Sequence, residues 1–285
     1  MNISLIGVGL MGQALAEHLL AQGKKLTLFN RNIEKTRLLQ QQGASVATSA
    51  QSALEQNELC LLMLSDAGAI NAVLDDIDPS QLKGKLIIQM GTISPDQSRA
   101  IAQRITGQQG RYLECPVLGS LPEARSGNLI LMAGGKKEDY QRALPLLKII
   151  GKQPQYIGDI GQGATVKLAM NQLIAGLTSS FALSLALTQK EGIETEQFMN
   201  IVRDSALYAP TFDKKLERMV TRDFSKPNFP TKHLAKDTRL FLDVAQNLGL
   251  ETCVIEGIAT LLEKTLEQGL ADTDYSAIYS AVNPT

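Results

Sequence analysis

The chain has 285 residues, of which 44% are hydrophobic and 20% charged, a length that suits two domains of ordinary size and a composition that suits a large apolar core. A net charge of −1 and a pI near 6.2 argue against nucleic acid or an anionic membrane as partner.

The first element is an apolar strand, Ile3 to Ile6, that runs into Gly7-Val8-Gly9-Leu10-Met11-Gly12 and then a helical pattern to Gly23. This is the spacing of a dinucleotide-binding turn. Gly7 permits the sharp turn, Gly9 lets backbone approach a pyrophosphate, and Gly12 lets the helix pack on the strand. The helix N-terminus then offers unpaired N–H groups and a positive dipole end. The second strand, Leu26 to Asn30, ends without the acid that binds the ribose hydroxyls of NAD. Asn30 tolerates a 2′-phosphate, and Arg31, with Lys35 one turn on, can grip one. NADPH is expected over NADH, although the same residues fit an ordinary solvated basic turn.

A helix is expected over Ile33–Gln42, ended by Gly43. Strands follow at 59–64, apolar throughout as a strand buried on both faces is, and at Leu86–Met90. Leu64-Ser65 and Gly91-Thr92 leave their C-terminal ends, where ligands of open α/β sheets bind. Ser94-Pro95-Asp96-Gln97 reads as a capping box, which accounts for Ser94 without chemistry. A strand over Tyr112–Val117, an irregular stretch 118–127, a strand Leu129–Ala133, a helix Glu138–Ile150 and a strand Gln155–Ile157 close the unit. The alternation predicts an α/β fold: a Rossmann-type, doubly wound, mostly parallel sheet over residues 1–160.

After Gly158 the period becomes helical. A helix of about 40 Å is expected over Ala164–Lys190 at 1.5 Å per residue. Further helices are expected at Glu194–Asp204, Pro210–Thr221, Lys232–Leu248 and Val254–Gln268. Residues 161–285 thus form an all-helical C-terminal domain, joined by the long helix; the tail 272–285 carries no pattern. The run 173–187 is apolar but broken by Thr178, Ser179, Ser180 and Ser184, so no membrane span is expected. Cys60, Cys115 and Cys253 are scattered and odd in number, against a disulfide framework or a metal site. All three read as buried small hydrophobes in a reducing compartment. The first strand starts too early for a leader, so a cytoplasmic location is expected.

Lys167 and Asn171 lie four residues apart, on one face of the long helix, among Leu168, Ala169 and Met170. Together they can hold one oxygen of a substrate, and an apolar setting would bring the lysine's proton within reach of transfer. The same pair also fits a snorkelling lysine and an asparagine making a polar contact.

These residues resemble the β-hydroxyacid dehydrogenases, which include 3-hydroxyisobutyrate dehydrogenases and glyoxylate or succinic semialdehyde reductases. The resemblance covers essentially the whole chain and rests on GVGLMG at 7–12, PVxG at 116–119, GQGxxxKxxxN at 161–171 and Lys236-Asp237. It implies Lys167 as the catalytic lysine and Asn171 as its substrate-orienting partner. It places Thr92 near nicotinamide and substrate, Leu64 and Ser65 over the adenosine side, and Lys236 near the cofactor. It puts Asp237 and Phe229 at the substrate pocket, while an exposed charge pair is the plain alternative for Lys236-Asp237; His233 reads as structural. The family's Asp-x-Pro-Val-Ser-Gly-Gly is here Glu114-Cys115-Pro116-Val117-Leu118-Gly119-Ser120. Leu118 replaces the serine that helps bind a carboxylate, while the N–H groups of Gly119 and Ser120 can still bind an anion.

The expected activity is NADPH-dependent reduction of a small carbonyl compound, interconverting a β-hydroxyacid-type alcohol and its aldehyde or semialdehyde. The site is expected in the cleft between the domains, in a homodimer or homotetramer. Two alternatives are an imine reductase, of which Lys167 is not typical, and a non-catalytic NADPH-binding module.

Overall fold

A computed structural model describes residues 2–284 of the chain, divided in sequence into a unit ending at Lys167 and a unit beginning at Leu168. In the first, strands β1 (Asn2–Ile6), β2 (Lys25–Phe29), β3 (Ser45–Val46), β4 (Leu59–Leu62), β5 (Leu86–Gln89) and β6 (Arg111–Glu114) lie parallel in the order β3-β2-β1-β4-β5-β6. The order reverses beside β1, and the crevice beyond the C-terminal ends of β1 and β4 is the switch point where ligands of such sheets bind. Beyond β6, β8 (Ile130–Gly135) pairs antiparallel with β6 and with β7 (Val117–Leu118), and parallel with β9 (Gln155–Gly158). The sheet is therefore mostly, not wholly, parallel.

The apolar runs follow from burial on both faces. Successive residues point to opposite sides of a strand. Leu5, Leu61 and Ile88 feed one core with Leu15 and Leu19 of α1 (Leu10–Ala21) and Leu146 and Leu147 of α7 (Lys137–Ile150). Ile6, Leu62 and Ile87 feed the other. Its helical side comes from Leu54 of α3 (Ala50–Glu55), Leu74 of α4 (Ala67–Asp75) and Ile105 of α5 (Pro95–Gly107). The capping box at Ser94 is present: Ser94 Oγ accepts from Gln97 N at 3.2 Å, and Gln97 Oε1 accepts from Ser94 N at 2.9 Å.

Several expected boundaries move. The helix over Ile33–Gln42 is a 3₁₀ turn, Ile33–Thr36, followed by α2 (Arg37–Gln41). The strand expected over Tyr112–Val117 breaks at Cys115-Pro116, where proline removes a ladder donor. The stretch 118–127 is not irregular throughout: Leu118 belongs to β7, and α6 (Leu121–Arg125) follows. Strand β3 and helices α3 and α4 are short elements that the sequence pattern left out.

The second unit is helical. Helix α8 (Gln162–Lys190) begins in the first unit and runs on into the second. It is followed by α9 (Thr195–Asp204), α10 (Pro210–Thr221), α11 (Thr231–Asn247), α12 (Cys253–Glu267) and α13 (Ile278–Val282). Among the described residues only α8 is long and apolar enough to cross a membrane by length and composition. Phe181, Ala182, Leu185 and Ala186, however, pack in the core of this unit with Met199, Phe212 and Met219, so α8 reads as a core helix. The tail that carries no pattern is in fact core: Tyr275, Ala277, Ile278 and Tyr279 are buried. Cys60 and Cys115 are buried as expected, and burial pushes the Cys60 thiol up to about 12. Cys253 is exposed, contrary to expectation, because it opens α12 on the solvent side.

Candidate active site

The loop between β1 and α1 is shaped by close approaches. Gly7 has φ +101°, and a Cβ there would stand 2.3 Å from Met63 O. A Cβ on Gly12 would stand 2.0 Å from Gly7 O. Both glycines are required by the protein's own packing. Gly9 is not: a Cβ there would meet nothing within 4 Å. It is the N-cap of α1 without a side-chain cap, and both Gly9 and Leu10 are exposed, while Val8 is buried and Met11 half-buried. Open space over an uncapped helix N-terminus fits a diphosphate, with N–H donors at hand.

Asn30 stands at the end of β2 and does more than tolerate a phosphate. Its Oδ1 accepts from Val8 N at 2.8 Å, and its Nδ2 donates to Asn32 O at 2.7 Å. It therefore ties the glycine loop to the turn that carries Arg31 and Lys35, both exposed. Leu64 is half-buried and Ser65 exposed at the mouth of β4, where Ser65 Oγ donates to Asp66 Oδ2 at 2.7 Å. Asp66 in turn caps α4. Thr92, half-buried, follows Gly91, whose Cβ would stand 2.2 Å from Leu64 O. The loops after β4 and β5 are thus in backbone contact. His18, near the end of α1, bridges to the end of α6 and to α7, its ring nitrogens each 2.9 Å from a carbonyl, Arg125 O and Ile149 O.

The anion site expected at Gly119 and Ser120 is not formed as expected. Ser120 N and Ser120 Oγ both donate to Glu123 Oε2, at 2.8 and 2.6 Å. The amide is spent on a capping box at the start of α6, so Ser120 offers no N–H to an anion. Leu118 pairs in register with Ile130. Val117 and Leu131 fill the core, and strand alternation sends Leu118 and Ile130 to the opposite face, where Ile130 is 51% exposed.

Helix α8 carries Lys167, 8% exposed, and Asn171, 2% exposed, on one face. Asn171 Nδ2 donates to Asp237 Oδ2 at 2.6 Å. A carboxylate cannot donate when ionised, so the amide nitrogen must face it, and the rotation of the Asn171 amide is fixed. Lys236 Nζ stands 2.9 Å from Asp237 Oδ1. Asp237 is 2% exposed, so this pair is not a solvated charge pair on α11; it holds Asn171 in place. Lys236, read from the sequence as a cofactor contact, is committed at least in part to Asp237.

Phe229, half-buried, stacks near His233 with ring centroids 6.4 Å apart and meets Tyr275 edge-on at 5.8 Å. Burial, with the Lys236 ammonium nearby, pushes the His233 imidazole below its usual pKa. An imidazole shifted this way is neutral at pH 7, and its ring packs beside Phe229.

The sequence reading missed Glu114. It is fully buried at the end of β6 and accepts from backbone N–H groups at the start of α8. Burial raises its pKa above the usual carboxylate range, and hydrogen bonds from Ser98 and from the helix N-terminus act against the rise.

The chain is similar to known proteins over nearly its whole length. Residues 2–158 match the family described as the NAD binding domain of 6-phosphogluconate dehydrogenase. Residues 161–282 match that described as the NAD-binding domain of NADP-dependent 3-hydroxyisobutyrate dehydrogenase. Glyoxylate/succinic semialdehyde reductase 1 of Arabidopsis thaliana is 33% identical over 285 residues, covering 99% of this chain and 98% of the relative. Among solved structures, Mycobacterium tuberculosis 3-hydroxyisobutyrate dehydrogenase with L-serine superposes with a TM-score of 0.89 at 22% identity, covering 99% and 98% of the two chains. An imine reductase from Pseudomonas sp. superposes less well, with a TM-score of 0.67 at 22% identity and 98% coverage of each chain. Two domain families matched in order, a relative similar from end to end and the shared fold lead to one conclusion: the chain belongs to the β-hydroxyacid dehydrogenase family.

Proposed function

We propose that the chain is an NADPH-dependent reductase that interconverts a β-hydroxyacid-type alcohol and its aldehyde or semialdehyde. The observation that carries the reading is the buried Lys167 on one helical face with Asn171, whose amide is locked by Asp237. When bound, the nicotinamide supplies the hydride that adds to the carbonyl carbon. Lys167 Nζ stabilises the negative charge that builds on the carbonyl oxygen and gives that oxygen its proton, forming the alcohol. Asn171 fixes the direction from which the oxygen is held, and Asp237 with Lys236 keeps Asn171 from rotating. The backbone at Gly7–Gly12 and the mouths of β4 and β5, with Leu64, Ser65 and Thr92, would hold the dinucleotide. The experiment is a panel of semialdehydes, glyoxylate and cyclic imines, followed by NADPH oxidation. Turnover on imines alone would favour the imine reductase reading, which Lys167 speaks against.

The preference for NADPH rests on Arg31 and Lys35 beside Asn30, with no carboxylate at the end of β2. Arg31→Ala is expected to weaken NADPH binding by about 1–3 kcal/mol, the range of a charge-assisted hydrogen bond. NADH binding should be nearly unchanged. Equal losses for the two cofactors in a titration would remove the phosphate contact from the account.

Leu118 bears on the substrate. Loss of a hydroxyl from a carboxylate site costs about 1.5–3 kcal/mol, and a leucine covered by ligand contributes up to about 1.5–3 kcal/mol of apolar burial. The exposed Ile130 beside it extends the same apolar surface. Glyoxylate should therefore be a poor substrate beside longer or more apolar carbonyl compounds. Leu118→Ser should shift the kcat/KM ratio about tenfold or more toward glyoxylate, the factor equivalent to 1.4 kcal/mol or more. An unmoved ratio would take Leu118 out of the substrate site.

The exposed face of α8 supports an oligomer. Leu173, Leu177, Leu183 and Leu187 are 52%, 41%, 62% and 62% exposed. At 3.6 residues per turn they fall within an arc of about 120°, with Gly176, Ser180 and Ser184 between them. A continuous leucine face studded with small residues suits close packing against a helix of a second copy. A homodimer or homotetramer is expected, in the cytoplasm, and a monomer mass by light scattering at micromolar concentration would contradict it.

A further inference from the structure

The carboxylate of Glu114 has no part in the chemistry above, yet the backbone is arranged around it. Its Oε1 accepts from Gly161 N at 2.8 Å and from Ala164 N at 3.1 Å. Its Oε2 accepts a short hydrogen bond from Ser98 Oγ. Ser98 Oγ stands 2.8 Å from Tyr112 Oη. With a carboxylate on one side, the serine hydroxyl donates to Glu114 and the tyrosine hydroxyl donates to the serine. Neighbouring glycines keep the space. A Cβ on Gly134 would stand 2.4 Å from Glu114 Oε1, and one on Gly163 would stand 3.1 Å from Oε1 and 2.4 Å from Met132 O.

This cradle fixes one end of α8. The first four N–H groups of a helix lack partners within it, and here a buried anion takes two of them while meeting the positive end of the dipole. Ala164 is three residues before Lys167, so the anchored turn leads directly into the one that carries the lysine. Rotation or slippage of that turn would move Nζ relative to a bound substrate. Misplacement by about 1 Å can cost 10²-fold in rate.

We propose that Glu114, held by Ser98 and Tyr112, is a positioning residue for the reaction: it locks the N-terminal turn of α8 and through it the place of Lys167 Nζ. The inference rests on Lys167 being the proton donor. A cap that served stability alone would lower the melting temperature without changing the chemistry of the folded enzyme.

The test uses the full chain with Glu114→Gln, Ser98→Ala and Lys167→Ala, the best carbonyl substrate, and NADPH deuterated at the transferred position. Glu114→Gln is expected to lower kcat about 10- to 100-fold, leave the KM for NADPH within about twofold, and raise the primary isotope effect on kcat as the chemical step slows. Ser98→Ala, which leaves the capping bonds and loosens the carboxylate, is expected to act in the same direction and less strongly. A folded Glu114→Gln with wild-type kcat and isotope effect would overturn the proposal, as would a parallel loss of kcat and NADPH affinity. If Glu114→Gln does not fold, Ser98→Ala decides, and an unchanged kcat there overturns it. Lys167→Ala separates the two readings. Normal kcat in that variant removes the acid itself, whereas its loss beside normal kcat in Glu114→Gln removes only the positioning role.

Discussion

Replacing Lys167 with alanine is expected to lower kcat by about 10²-fold or more, the effect of losing a general acid, with NADPH affinity little changed. A factor of 10² corresponds to about 2.7 kcal/mol of transition-state stabilisation. The structure favours a clean result. Lys167 lies inside α8, where alanine is a better helix former than lysine. The Asn171–Asp237 and Asp237–Lys236 contacts do not themselves include its side chain. The variant should therefore bind cofactor, fold normally and turn over slowly, and a kcat equal to that of the unaltered chain would assign Lys167 to packing.

The second large effect concerns stability. Asp274→Ala should destabilise the helical unit by about 3–5 kcal/mol, the cost of stranding a buried charge. Lys215 Nζ stands 2.8 and 2.9 Å from the two Asp274 oxygens, with both side chains buried, and 4.2 Å from the Tyr275 ring centroid. Asp274 also accepts from Ser276 N at 3.1 Å and from Ser276 Oγ at 2.8 Å. Burial alone would raise the Asp274 pKa, but the Lys215 ammonium and the Ser276 hydrogen bonds outweigh it and hold it below the usual value. A carboxyl with a depressed folded pKa contributes stability that is complete above its unfolded value, about 3.9. That stability is lost as pH falls through the lower folded value. The contribution should thus be flat near neutrality and fade only below about pH 4. Urea unfolding of the variant and the unaltered chain at pH 7 measures it, and a difference under about 1 kcal/mol would contradict the buried-pair account.

Asp274 lies where the sequence was silent. The tail has no helical period because its run from Asp274 to Tyr279 is buried without a break, and burial on all sides erases the alternation that marks a face. The long elements were legible for the opposite reason. Strands β4 and β5 and helix α8 repeat one environment over many residues, and the Gly7–Gly12 spacing is dictated by backbone contacts that tolerate no Cβ. Helices α3 and α4 are too short to establish a period.

At the site, residue types were legible and their partners were not. The spacing put Lys167 and Asn171 on one face. It could not show that Asn30 clamps Val8 N or that Asp237 holds Asn171, because each contact joins residues whose separation in sequence carries no pattern; Ser120-x-x-Glu123 did carry the capping-box spacing found at Ser94 and went unread. Cys253 was misread for a related reason: composition favours burial of a free cysteine, whereas position at the start of α12 decides it.

The central claim is that this chain reduces a carbonyl group with NADPH. Its most direct measurement is the absorbance of NADPH at saturating concentration with a semialdehyde, alongside quantification of the alcohol formed. The account predicts one alcohol produced for each NADPH oxidised. NADPH binding with no turnover on any carbonyl compound would contradict it.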